Sequence, residues 1–173
     1  MSEAAAAEAR LLARLEALGI AVTMHRHAPV FTVEEARALR GDLPGGHAKN
    51  LFLKDKKDRL FLAVVEEGTP VDLKRLEKAL GAARLSFGRA ELLAEVLGVT
   101  PGAVTPFAAM NAAPGSITVV LDAALMALDP VNFHPLRNDA TLAVSPQGLL
   151  AFLRGSGHAP VLFDFRQMAA LPI

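Results

Sequence analysis

A chain of 173 residues with 52% hydrophobic side chains and a mean hydropathy of +0.34 has the size of one domain and is too apolar to stay disordered. Its 18 basic and 18 acidic side chains cancel, which excludes coating of long nucleic acid or an anionic membrane by overall charge, so any phosphate partner must be met locally. No cysteine occurs, which excludes disulfides, thiolate nucleophiles and Cys-ligated zinc and fits a reducing compartment.

The first residues, "MSEAAAAEARLLARLEALGI", carry acidic side chains early and lack the basic-then-apolar order of a signal peptide. No apolar run approaches the roughly 18 residues of a membrane span. The expectation is a cytoplasmic protein without a membrane partner, residues 1–173 forming a single domain. Leu11, Leu15 and Leu18 share one face of an Ala-rich amphipathic helix that Gly19 can end. "AVTMHRH" reads as a short strand. Thr32 with Glu35 three residues on makes a capping-box pattern that predicts a helix over Val33 to Arg40, broken by "GDLPGG".

"NLFL" and "LFLAVV", separated by the charged "KDKKDR", predict a hairpin whose apolar density implies burial on both faces. Asp72 can cap a helix "LKRLEKAL" ended by Gly81, "ARLSF" reads as a strand, and Glu91 to Leu97 predicts a helix stopped at Gly98. The segment "GVTPGAVTPFAAMNAAPG" has three prolines and three glycines with Val, Phe and Met interleaved. It reads as an ordered loop apolar enough to line a pocket. "SITVVLD", "PVNFHP" and "ATLAVS" are strand candidates, "PQGLLAFLR" a helix with proline near its start, and "PVLFDF" a last strand. About seven strands interrupted by helices, several joined by connections too short for a parallel crossover, predict an α+β fold: a mixed, largely antiparallel sheet with helices packed around it. Neither G-x-G-x-x-G nor G-x-x-x-x-G-K-[ST] is present, so no dinucleotide or P-loop site is indicated.

Lys49 and Asn50 follow the "PGG" turn at the head of a strand. There an ammonium can meet a phosphate as a compact charge and an amide offers both donor and acceptor; a solvated lysine is the bland alternative. Lys54, Lys56, Lys57 and Arg59, diluted by Asp55 and Asp58, can track a nucleic-acid backbone or simply form a solvated hairpin tip. The absence of Trp and Tyr leaves Phe, His and Arg as the only groups for base stacking. His25 and His27 alternate in one strand and point the same way. With His47 or His134 they sketch a metal cluster, but neither an H-E-x-x-H motif nor a fixed carboxylate spacing supports it, and structural or surface roles are favoured over zinc. His134 lies between an apolar strand and a proline, at a pocket edge or at an ordinary strand end. Gly102 in "GAVTP" lets backbone approach a ligand, and Pro106 stiffens the exit. No G-x-S-x-G elbow occurs, so water is favoured over a serine nucleophile.

Taken in order, "GGHAKNLFLKDKK", "LGVTPGAVTPF", "ITVVLD" and "NFHPL" resemble the YbaK/ProX family of prolyl-tRNA editing proteins, and most closely its free-standing alanyl-specific branch. The resemblance covers most of the chain from "HRHAPVFTVEEA" onward. It implies the barrel-like sheet of that domain type and hydrolysis of the ester joining alanine to the 3′ end of proline-accepting tRNA, without cofactor or metal. By the same resemblance Lys49 would hold the phosphate near the terminal adenosine and Asn50 would help fix the substrate. Gly102, Ala103, Val104, Thr105 and Pro106 would present backbone amides to the aminoacyl group, and His134 would close the pocket. Read for size, the loop "TPFAAMNAAPG" can supply Phe107, Met110 and small alanines to set the volume of that pocket. The ribose hydroxyl beside the ester would assist, and the partner would be the acceptor end of tRNA(Pro) carrying alanine, with prolyl-tRNA synthetase or an elongation factor left open as further partners. The cysteine-specific branch is similar but has a "G-G-x-x-P" loop; the single glycines here favour alanine. A non-catalytic tRNA or aminoacyl-adenylate binding module and a metal-dependent hydrolase using His25, His27 and His134 are the competing readings.

Overall fold

The computed structural model describes residues 2–40 and 43–173, so the first two residues of the "GDLPGG" break lie outside the described residues. Helix α1 (Glu3–Ala17) starts at Ser2, whose hydroxyl accepts from the Ala5 N–H. It buries Leu11 and Leu15 and ends as expected at Gly19, which adopts φ +70°. Strand β1 (Val22–Arg26) leads to α2 (Val33–Arg40). The Thr32 hydroxyl accepts from the Glu35 N–H at 3.0 Å, while the Glu35 carboxylate accepts from the Phe31 N–H at 2.9 Å rather than from Thr32 itself. The capping box is therefore closed one residue earlier than the usual pattern.

Strands β2 (Gly46–Asp55) and β3 (Leu60–Glu66) form the predicted antiparallel hairpin, Lys49 facing Val65 and Asn50 facing Val64 across the ladder. The charged link between them is organised by one buried group. Asp55 accepts from the N–H of Lys57, Arg59 and Ala83 and from the Arg59 guanidinium at 2.8–3.0 Å. Burial alone would raise its pKa, but the Arg59 and Ala83 N–H groups and the Arg59 guanidinium outweigh it and hold the carboxyl at about 2. The lysine-rich run is thus a built turn, with Lys54 paired to Asp58 at 3.0 Å on its exposed side.

Helix α3 (Leu73–Leu80), capped by Asp72 and ended by Gly81 at φ +65°, precedes β4 (Leu85–Phe87) and α4 (Ala90–Leu97), which ends at Gly98. The Pro/Gly segment that follows forms two 3-10 turns, 101–103 and 106–111. Then come β5 (Ile117–Asp122), α5 (Ala123–Met126), β6 (Val131–Phe133), β7 (Ala140–Val144), α6 (Pro146–Gly155), β8 (Val161–Asp164) and β9 (Ala169–Leu171). The sequence gives no sign of α5 or β9. A four-residue helix started by Asp122 is too short for periodicity, and the Ala-Ala-Leu edge strand is exposed throughout and carries no alternation.

Among the described residues nine strands form one sheet, in the order β1-β7-β6-β2-β3-β5-β8-β9 with β4 added to the end of β2. Five pairings are antiparallel and three parallel, the mixed, largely antiparallel α+β sheet expected. Burial on both faces of β3 follows from its period of two. Leu62 and Val64 enter a core with α1, α4, α6 and the 106–111 turn, while Phe61, Ala63 and Val65 enter a second core with Leu76 of α3 and Phe163. Strand β2 is shared between two halves of the sheet: Gly46 and His47 pair with β6, and Ala48 onward with β3. That handover positions the site. No helix among the described residues is long and apolar enough to cross a membrane.

Candidate active site

A cavity of about 420 Å³ opens where β2 passes from one half of the sheet to the other. Its walls are the His47–Leu51 stretch of β2, β1 with the turn into α2, the 101–104 turn, and the end of β6 at His134. Lys49, Asn50, Gly102, Val104 and His134, drawn from three distant parts of the sequence, all line it.

Lys49 is half-buried and makes no hydrogen bond or ion pair with another described residue. An unpaired ammonium on a concave wall is a site for an anion. Asn50 next to it donates to the Val104 carbonyl at 3.2 Å, tying the strand to the 101–104 turn, while its Oδ1 is buried without a partner. Gly102 is set by close approach: a Cβ there would lie 3.3 Å from Phe31 Cδ1 and 3.4 Å from Asn138 Nδ2. Among residues 102–106, Pro106 has no N–H and the Ala103 N–H is engaged by the Thr100 carbonyl at 2.9 Å. Gly102 and Val104 remain as the cavity-wall residues that can offer backbone amides.

His134 donates from Nδ1 to the Ala140 carbonyl at 2.9 Å, which fixes the tautomer. Burial pushes its pKa below the ordinary value; the Ala140 bond opposes this and the nearby His27 adds to it. The imidazole is therefore neutral near pH 7, with Nε2 unpaired among the described residues. His27, its ring centroid 6.2 Å away, has both nitrogens engaged, by the Ala28 carbonyl at 2.8 Å and the Thr141 hydroxyl at 2.9 Å. His25 and His47 also line the cavity, and the His47 Nε2 meets the Leu43 carbonyl at 2.9 Å. No group of three or more His, Cys, Asp or Glu side chains that could hold a metal ion occurs among the described residues.

The rest of the expected pocket lies elsewhere. Phe107 is fully buried, edge-on to Phe133 at 5.8 Å and Phe152 at 5.2 Å. Thr105 and Pro106 are buried beside it, Thr105 accepting from the Phe107 N–H at 3.3 Å, and Met110 packs against the same core. Ala103 faces a separate cavity of about 270 Å³ against α1. The expectation that Phe107 and Met110 bound the pocket is corrected for a physical reason: Pro106 starts a 3-10 turn, and that turn directs side chains 107–109 inward instead of across the cavity.

A family model described as the aminoacyl-tRNA editing domain matches residues 27–152. The chain belongs to this editing family. A zebrafish (Danio rerio) relative, prolyl-tRNA synthetase associated domain-containing protein 1, is 41% identical over 153 residues, covering 87% of this chain and 83% of its own. The prolyl-tRNA editing protein ProX of Acetoanaerobium sticklandii is 34% identical over 153 residues, covering 88% of this chain and 93% of its own. A crystal structure of a candidate trans-editing enzyme for prolyl-tRNA synthetase superposes with a TM-score of 0.70 at 21% identity, covering 95% of this chain and 97% of that one, a likeness of fold.

Two residues of the editing domain's cavity escaped the sequence reading. Asn132, nine-tenths buried, donates from Nδ2 to the carbonyls of Pro44 and Gly46 at 3.0 and 3.1 Å, so β6 holds the turn that delivers Lys49. Gly45 completes that turn at φ +102°, where a Cβ would lie 2.2 Å from the Pro130 carbonyl oxygen. The signal for Asn132 was a lone amide inside the apolar strand "VNF", which must find partners once buried. The second residue is Phe31, which lines the cavity mouth and is 72% exposed.

Proposed function

We propose that this editing domain is a trans-acting deacylase that hydrolyses alanine from mischarged tRNA(Pro). The observation that carries the reading is the Lys49 ammonium, without a partner among the described residues, on the wall of a cavity of about 420 Å³ that also holds Asn50, Gly102, Val104 and His134. Lys49 grips a phosphate of the terminal nucleotides. The N–H groups of Gly102 and Val104 face the ester carbonyl and stabilise the negative charge that develops on its oxygen as water attacks the carbon. The carbon–oxygen bond to the ribose then breaks, the ribose oxygen takes up a proton, and free alanine and tRNA leave. Nε2 of His134 is an acceptor for a proton of the attacking water or of the neighbouring ribose hydroxyl. The relatives named for prolyl-tRNA synthetase association and prolyl-tRNA editing support the choice of tRNA.

A second site for this task has a physical rationale. A hydrophobic pocket gains only about 1–3 kcal/mol per methylene, so a synthetase site built for proline cannot strongly reject the smaller alanine. A cavity that admits the small product and excludes the large one corrects the error. The test is loss of ester from alanyl- and prolyl-charged tRNA(Pro), with and without chelator, beside Lys49→Ala. Hydrolysis of the alanyl ester alone, insensitive to chelator and reduced on the order of 100-fold in the variant, is expected. Binding without turnover would replace this reading with that of a binding module, and chelator inhibition with that of a metal hydrolase. Because Lys49 makes no ion pair or hydrogen bond with another described residue, the variant should melt with the wild type.

A further inference from the structure

We infer that Phe31 is the platform on which the terminal nucleobase of the RNA stacks; the inference rests on the editing reading and adds a base subsite to it. The chain has nine Phe and no Trp or Tyr. Seven of the nine, at 52, 61, 107, 133, 152, 163 and 165, are buried. Phe87 is exposed but sits on β4, off the cavity. Phe31 is thus the one phenylalanine that is both exposed, at 72%, and on the cavity that holds Lys49.

The position of the ring is built by its surroundings. Its backbone N–H is held by the Glu35 carboxylate at 2.9 Å. The preceding residue, Val30, is buried and exchanges bonds with Asn138, its N–H to the Asn138 carbonyl at 3.1 Å and its carbonyl from Asn138 Nδ2 at 3.0 Å. Gly102 backs the ring closely enough that a Cβ would sit 3.3 Å from Phe31 Cδ1. The turn that carries the proposed oxyanion donors comes close to the ring at Cδ1, and the residue as a whole stays 72% exposed. Leu39 of α2, also exposed, lines the same cavity. An exposed aromatic side chain and an ammonium without a partner among the described residues, both on one cavity, match a nucleotide, the base against the ring and the phosphate against Lys49. Every base has a π-face, so this contact anchors the 3′ end without reading its sequence.

The test compares two alanylated RNA minihelices, one ending in adenosine and one whose terminal ribose lacks a base, with wild type, Phe31→Ala and Phe31→Tyr. Expected are a KM higher on the order of 5- to 100-fold for Phe31→Ala on the adenosine substrate, wild-type behaviour for Phe31→Tyr, and no further loss for Phe31→Ala on the abasic substrate. A KM change below about 2-fold overturns the inference, as does an equal loss on both substrates, which would mark a structural role, or a loss that needs a synthetase present, which would mark a protein contact. Binding of uncharged minihelices, followed by anisotropy, repeats the comparison without hydrolysis. Failure of wild type to cleave any ester would count against the deacylase reading, while the binding series would still decide the role of Phe31.

Discussion

The side-chain amide of Asn50 donates to the backbone carbonyl of Val104, 3.2 Å away and 54 residues along the chain. That bond joins the strand bearing Lys49 to the turn bearing Gly102, and among the described residues it is the only hydrogen bond of the Asn50 amide, whose Oδ1 is buried without a partner there. Asn50→Asp sets a carboxylate oxygen against a carbonyl oxygen and should separate the two walls, lowering kcat/KM on the order of 100-fold, more than Asn50→Ala does, because repulsion adds to the lost bond. Single-turnover deacylation of the two variants checks the order; an Asn50→Ala defect equal to or larger than that of Asn50→Asp would refute it.

His134 makes the site pH-dependent with a defined sign. Burial, opposed by the Ala140 bond, holds its pKa below the ordinary 6.5. If neutral Nε2 is the acceptor, activity falls as pH drops through this depressed value, and His134→Gln removes that acid limb. Stability has the same sign. Between the folded and unfolded pKa values the unfolded chain binds the extra proton, so the contribution is fully present above about pH 6.5 and is lost as pH falls through the folded value. Rate and melting profiles from pH 5 to 8 test both, and an unchanged acid limb in His134→Gln removes His134 from the chemistry.

Asn132 acts through the turn it holds. Asn132→Ala removes two bonds to the Pro44 and Gly46 carbonyls, each worth about 1 kcal/mol, and releases the approach to Lys49. The expected result is a modest fall in melting temperature, faster amide exchange over residues 46–50 and kcat/KM lower by roughly 10-fold. Exchange that rises everywhere except this turn would show that Asn132 does not position it.

Substrate size should be set by Val104 and not by Phe107. Phe107→Ala removes a fully buried ring packed on Phe133 and Phe152 and should cost about 3–5 kcal/mol of stability. Alanyl-over-prolyl discrimination should stay unchanged in whatever remains folded. Val104→Ala, on the cavity wall, should relax that discrimination by up to about 10-fold. Ratios of kcat/KM for the two esters decide between them.

Local chemistry was legible wherever a short stretch settles its own conformation. Asp72 with Gly81, Thr32 with Glu35 and the alternation of β3 each work within a few residues, and the corresponding elements appear where periodicity and capping place them. At Lys49, Asn50, Gly102 and His134 polar or small residues interrupt apolar runs, which marks the positions, but their roles came only from the family resemblance; the structure brings all four onto one cavity. Phe107 and Met110 were misplaced because a Pro/Gly-rich stretch does not reveal which way its side chains turn, and the 3-10 geometry that buries Phe107 depends on the helices packed around it.

The sequence by itself determined an apolar, charge-balanced, cysteine-free α+β domain and the ordered set of segments that marks its family, because composition, period and capping act over short distances. Tertiary structure alone decided that strands β2 and β6 meet at Gly46 and His47, that Asn132 grips the turn before Lys49, and that Phe31 stands open beside Gly102. Those relations join residues dozens of positions apart, and only packing the whole sheet brings their atoms within bonding distance.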